Sequence, residues 1–129
     1  GALVIGISAG FVCFYSTVYI KQKLHIDDSL DVFPVHGIGG ILGTLLVGIF
    51  SSTSLGVFSG FGFAEGLNTI YDQVSVQFIG IVSTIAYTAV VSYFLLKVVG
   101  LMTGGLRVSK EQENTGLDLI EHDESGYNL

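Results

Sequence analysis

Half of the 129 residues are hydrophobic, only 12% are charged, and the mean hydropathy is +0.68. Soluble domains carry roughly a quarter charged residues, so this composition excludes an ordinary water-facing surface and points to an integral membrane protein. The net charge of −6 comes without a basic patch, which leaves nucleic-acid binding without electrostatic support.

The charges are clustered. None falls within residues 1–20, 32–64 or 73–96, and each run reaches the roughly 20 residues that cross a hydrocarbon core. The pattern predicts an all-α, polytopic membrane helix bundle with spans at 1–20, 31–51 and 73–103. A loop at 21–30, a longer connection at 52–72 and a tail at 104–129 complete the chain.

The first span holds the single Cys13, which excludes an internal disulfide and reads as a small packing residue. A cleaved leader fits poorly, because no basic segment precedes the run and no small-residue cleavage pattern closes it before Lys21–Gln22–Lys23. Gly1 opens inside an apolar run, which reads as a piece of a longer polytopic protein. Lys21 and Lys23 follow the first span, and Lys97, Arg107 and Lys110 sit at or beyond the end of the third. Lys and Arg mark the inner side, so the 21–30 loop and the tail are expected in the cytoplasm of a multi-pass cell-membrane protein. The 52–72 connection, which has neither Lys nor Arg, is expected outside.

The second span is expected to begin at Asp31, whose carboxylate can cap the free N–H groups of the first turn. Pro34 then falls where its missing N–H costs little. His36 lies about 8 Å along the helix, inside the hydrocarbon on its cytoplasmic side. An ionisable group there is a candidate functional residue, since an imidazole can donate or accept a proton near neutrality. The alternative is a structural hydrogen bond to a neighbouring span. No second ligand at metal spacing accompanies His36, so no metal or cofactor is expected. Gly37, Gly39, Gly40 and Gly43 predict close helix packing. Asp27, Asp28 and Asp31 cluster at the inner mouth of this span, suited either to helix capping or to a cation or a basic partner loop.

Glu65 and Asp72 in the outer connection read as solvated charges or cation attractors. Ser75, Ser83, Thr84, Thr88 and Ser92 of the third span can bond back to their helix. This span would be about 45 Å long from residue 73 to 102, and Lys97 can snorkel to the inner interface. In the tail, Ser109–Lys110–Glu111–Gln112 reads as a capping box stopped by Gly116. No nucleophile–base pairing, P-loop or dinucleotide fingerprint supports an enzyme.

The run Asp27–Asp28–Ser29–Leu30–Asp31–Val32–Phe33–Pro34–Val35–His36–Gly37–Ile38–Gly39–Gly40 resembles a signature of the ammonium transporters, relatives of the Rhesus proteins. Gly62–Phe63–Ala64–Glu65–Gly66 is similar to their outer loop. Gly105–Leu106–Arg107–Val108, Glu111–Gln112–Glu113, Gly116–Leu117–Asp118, His122 and Tyr127–Asn128 are similar to their tail. The resemblance covers essentially the whole chain and implies the last three of eleven spans, in a homotrimer with one pore per subunit. It implies that ammonium is deprotonated and that ammonia crosses an apolar pore lined by two histidines. His36 matches the second of these, and Val32 and Phe33 match positions near the inner pore end. The first histidine and the aromatic residues of the outer site are absent, so this stretch alone is not expected to conduct. Pro34 and Asp123 stand where many members have Gly. Ile120 stands where plant members have a regulatory threonine. The tail implies control by a PII signalling protein at the cytoplasmic face, with Asp27, Asp28 and Asp31 placed to meet its basic loop. An ammonium-sensing module acting through the tail is the competing implication.

Overall fold

The computed structural model describes residues 1–126; Tyr127, Asn128 and Leu129, with the tail ending read from them, lie outside the described residues. Three long helices dominate: α1 (Ala2–Gln22), α2 (Phe33–Phe50) and α3 (Ile70–Thr103). Two short ones, α4 (Lys110–Thr115) and α5 (Leu117–His122), follow in the tail. All three long helices are long and apolar enough to cross a membrane. They do not build a water-excluding core of their own. Ile20 and Pro34 are buried, yet Leu3, Phe11, Phe78, Tyr87 and Leu101 stand open. Apolar surface on this scale needs lipid or further helices to cover it.

The chain divides into two compact units, Gly1–Ile85 and Ala86 onward. In the first, α1 packs along α2. Cys13 Sγ of α1 faces the Val35 carbonyl at 3.9 Å. A methyl group added at Gly39 would come within 2.9 Å of the same sulfur, so the glycine is what lets the two helices meet there. Gly48 does the same toward α3: it is buried, and a side chain there would strike the Gln77 carboxamide and Val74. Close approach at a small residue is the expected way for membrane helices to pack.

The connection after α2 folds back on the helix end. Gly60 N–H donates to the Ser52 carbonyl and Gly62 N–H to that of Ser51, both at 2.8 Å. Ala64 N–H reaches Gln73 Oε1 at 2.9 Å. Asp72, expected in this connection, lies in the first turn of α3. Its carboxylate accepts from the Thr69 N–H and hydroxyl, while its own N–H donates back to Thr69 Oγ1. That reciprocal cap starts the helix at Ile70, and the Thr69–x–x–Asp72 spacing was its legible signal.

In the second unit, Lys97 Nζ lies 5.6 Å from the centre of the Tyr93 ring. Helix α3 ends at Gly104 and Gly105, both at positive φ. The expected capping box is present: Ser109 Oγ accepts from Gln112 N–H, and Gln112 Oε1 accepts from Ser109 N–H. Gly116, at φ 102°, stops α4. A second short helix, not anticipated from the sequence, follows at once, and its end is turned by Asp123 at φ 52°. Asp118 Oδ2 accepts from Gly126 N–H at 3.2 Å, closing that turn.

Candidate functional site

The structure corrects the expected start of α2. Asp31 is not its cap: it sits at φ 56°, a left-handed conformation outside the helix. Asp28 caps instead. Its two carboxylate oxygens accept from Val32 N–H at 2.9 Å and Phe33 N–H at 2.8 Å. These bonds, Phe33 first and then Val32, hold the Asp28 carboxyl below the ordinary carboxylate range. The physical reason for the exchange is reach. A carboxylate three residues further back, on a chain turned by left-handed Asp31, can span two successive N–H groups.

Asp31 spends its carboxylate elsewhere. Oδ1 lies 2.7 Å from Lys21 Nζ in the last turn of α1. Asp27 is exposed, and the Lys21–Asp31 pair is the one ion pair among the described residues. Of the three acids grouped by sequence, one caps, one pairs, and Asp27 is left toward solvent.

The first turn of α2 is also not an ordinary α-turn. Phe33–Ile38 is wound as a π-helix, and Gly39 N–H reaches back to the Pro34 and His36 carbonyls. Pro34, fully buried, sits near its start. The proline lacks the N–H that a tighter turn would use, and a wide turn tolerates that loss. Isolated π-turns in helices recur at functional sites. With the helix beginning at Phe33, His36 lies less than one turn in, shallower than an Asp31 cap implied.

His36 is exposed within this chain and lines a groove of about 730 Å³ between α2 and α3. From α2 it is joined by Phe33, Gly37, Gly40 and Thr44; α3 contributes Gln77, Gly80 and Thr84 among others. The wall is mainly apolar, with three polar side chains besides the imidazole. Thr84 Oγ1 is bonded to the Gly80 carbonyl at 2.8 Å, which hides its donor. The Gln77 Oε1 is buried without a hydrogen-bond partner.

Of the residues expected along a pore, Phe33 and His36 share this groove, and Val32 does not line it. The Phe33 ring lies over Gly37, where an added methyl would come within 3.0 Å of it. Gly39 faces the opposite way, toward Cys13, whereas Gly40 and Gly43 meet nothing within 4 Å. Asp27, Asp28 and Asp31 lie outside the groove. Thr44 and Gln77 were missed from sequence. The spacing His36–Gly40–Thr44, one helical stripe at steps of four, carried the signal for Thr44. Gln77, one uncharged polar residue in a long apolar run, carried little.

The Ammonium Transporter Family matches the chain over residues 1–127. The chain belongs to the ammonium transporter family. An ammonium transporter of Mycobacterium tuberculosis is 41% identical over 140 residues, covering 100% of this chain and 27% of the relative. Ammonium transporter Amt1 of Archaeoglobus fulgidus is 41% identical over 129 residues, covering 98% of this chain and 31% of that protein. An ammonium transporter of Bacillus subtilis is 36% identical over 129 residues, covering 98% and 30%. The chain thus spans about three-tenths of the length of these curated relatives. No solved structure matches it significantly. Family membership and three apolar helices make this a multi-pass membrane protein.

Proposed function

We propose that this chain supplies the last three of eleven spans of an ammonium transporter in the cell membrane, with His36 as a pore imidazole and no covalent chemistry. The observation that carries the reading is His36 itself. A family member places its one intramembrane histidine on a wide turn facing a mainly apolar groove.

The physics of the substrate fits such a wall. Ammonium would shed its hydration in an apolar passage, which is prohibitive for a small ion without compensating partners. Neutral ammonia loses far less. An imidazole can hydrogen-bond it through either ring nitrogen according to tautomer. That difference favours deprotonation before entry, the proton passing to water or a base at the entrance, with ammonia conducted past His36.

Scale then says what else is needed. One ammonia molecule takes roughly the volume of a water, about 30 Å³, far below the 730 Å³ of the groove. As it stands this wall is too wide to select. Further spans must narrow it, and Gly40 and Gly43, with open space beyond them, are surfaces for such helices. Phe33 and Val32 belong to the inner end of the path in this reading. The tail faces the cytoplasm, as the Lys and Arg placement favours, and the assembled protein is a homotrimer. A PII-type regulator with a basic loop would find Asp27 uncommitted, since Asp28 and Asp31 are engaged within the chain.

The test is labelled methylammonium uptake by cells expressing the full-length transporter that contains this chain, beside its His36→Ala and His36→Asp forms at equal membrane levels. Uptake by the parent with altered rate or selectivity in the variants supports the assignment. Identical uptake in all three removes His36 from the path.

A further inference from the structure

The Lys21–Asp31 pair joins the last turn of α1 to the residue before the N-cap of α2. Both side chains are partly exposed, at 40% and 31%, and pairs of this kind add little to folding. Nor does orientation demand Lys21, since Lys23 already marks the same end of α1. What distinguishes the pair is where it attaches. Asp31 precedes Val32, the N-cap of the helix that carries His36, and its backbone is left-handed, a conformation that few non-glycine residues other than Asn and Asp adopt.

Two backbone bonds fix that residue. Asp31 N–H donates to the Asp28 carbonyl at 3.2 Å, and Val35 N–H donates to the Asp31 carbonyl at 3.0 Å. The Asp28 carboxylate meanwhile takes the next two N–H groups. The result is a closed knot of backbone at the mouth of α2. Only Lys21 ties this knot by charge to α1. Just beyond it comes the π-wound turn Phe33–Ile38, which α1 packs against. A π-turn holds one residue more than an α-turn, so rewinding it to α geometry would offset its two sides by roughly 100° about the helix axis and turn His36, midway along it, by part of that. The imidazole would then point away from its present place in the groove wall.

We propose that the Lys21–Asp31 pair sets the winding of the turn that carries His36, making Lys21 and Asp31 positioning residues for the transport step. This rests on the transport reading above. The pair acts through geometry: it holds the entry to α2 against the end of α1, and the wide turn is the shape that fits between that anchor and the Gly39–Cys13 contact one helix face away.

The experiment uses the full-length transporter in lipid nanodiscs and liposomes, with Lys21→Met, Asp31→Asn, the double variant, and Lys21→Arg. Asn tolerates the left-handed conformation, so Asp31→Asn removes charge without adding backbone strain. Backbone amide exchange is read first, independently of transport. Lys21→Met and Asp31→Asn are each expected to speed exchange at Val35–Gly39 by about tenfold while leaving Ile41–Phe50 unchanged. In liposomes, the maximal uptake rate should fall by about fivefold with the half-saturation concentration unchanged, and the double variant should lose no more than the worse single. Lys21→Arg should restore both readouts. Unchanged exchange in Lys21→Met and Asp31→Asn would overturn the proposal whatever the transport result, as would losses that multiply in the double variant. A parent that moves no ammonium, with the exchange pattern as expected, would sink the transport reading and leave the tie between the helices standing.

Discussion

Single residues decide the geometry at the mouth of α2 and in the tail. At the mouth of α2, Asp28 caps with both oxygens, and its carboxyl is held below the ordinary value of 3.8 by Phe33 and Val32 N–H groups. A depressed folded pKa means that the stability is fully present above the unfolded value and is lost as pH falls through the folded one. Acidification below the ordinary carboxylate range should therefore loosen the Val32–Phe33 amides of the parent, read by exchange, and Asp28→Asn should flatten that pH dependence. At the tail, Asp123 holds a left-handed conformation at φ 52°, the geometry that glycine adopts without strain. Asp123→Gly is expected to stabilise the α5 turn by up to about 1 kcal/mol, seen as slower proteolysis of the tail. The sequence made His36 legible because an ionisable group in a long uncharged run is rare. It pointed to the wrong aspartate as cap, because capping signals read proximity to the apolar run and cannot see that Asp31 turns left-handed to reach Lys21.

Helices were easier to read than their ends. Three apolar runs predicted three long helices, since length and missing charge are enough to identify a candidate span. Their termini depend on side-chain bonds of two or three residues, as Thr69 and Asp72 show by drawing α3 back to Ile70. The π-turn in α2 was not legible at all, because periodicity is insensitive to one extra residue in a single turn. Glycine spacing announced close packing, but only geometry tells which glycine meets which helix. Gly48 is pressed against Gln77 and Val74, while Gly40 faces open space. Gly48→Leu should therefore separate α2 from α3 and cost about 1–3 kcal/mol by overpacking, measured as loss of thermal stability in detergent. In the tail, Ser109→Ala removes the capping box of α4 and should cost about 1 kcal/mol of local helix stability, measured by amide exchange at Lys110–Glu113.

At the scale of the whole molecule, the three long helices leave apolar surface uncovered. Their apolar faces stand open, and the groove beside His36 is more than twentyfold larger than an ammonia molecule the size of water, about 30 Å³. Both facts follow if the other seven-tenths of the relatives' length packs against this stretch, and the open glycines of α2 are where it would pack. The central claim is that the His36 ring looks into a conducting path and not at acyl chains. Bulk discriminates the two most directly. Ammonium-driven internal pH change in liposomes should be compared for the full-length transporter and its His36→Trp form at equal protein content. Trp at position 36 is predicted to block transport at least about tenfold, because a lipid-facing site accepts a large apolar ring and a narrow lumen does not. Transport by His36→Trp at the parental rate would contradict the assignment.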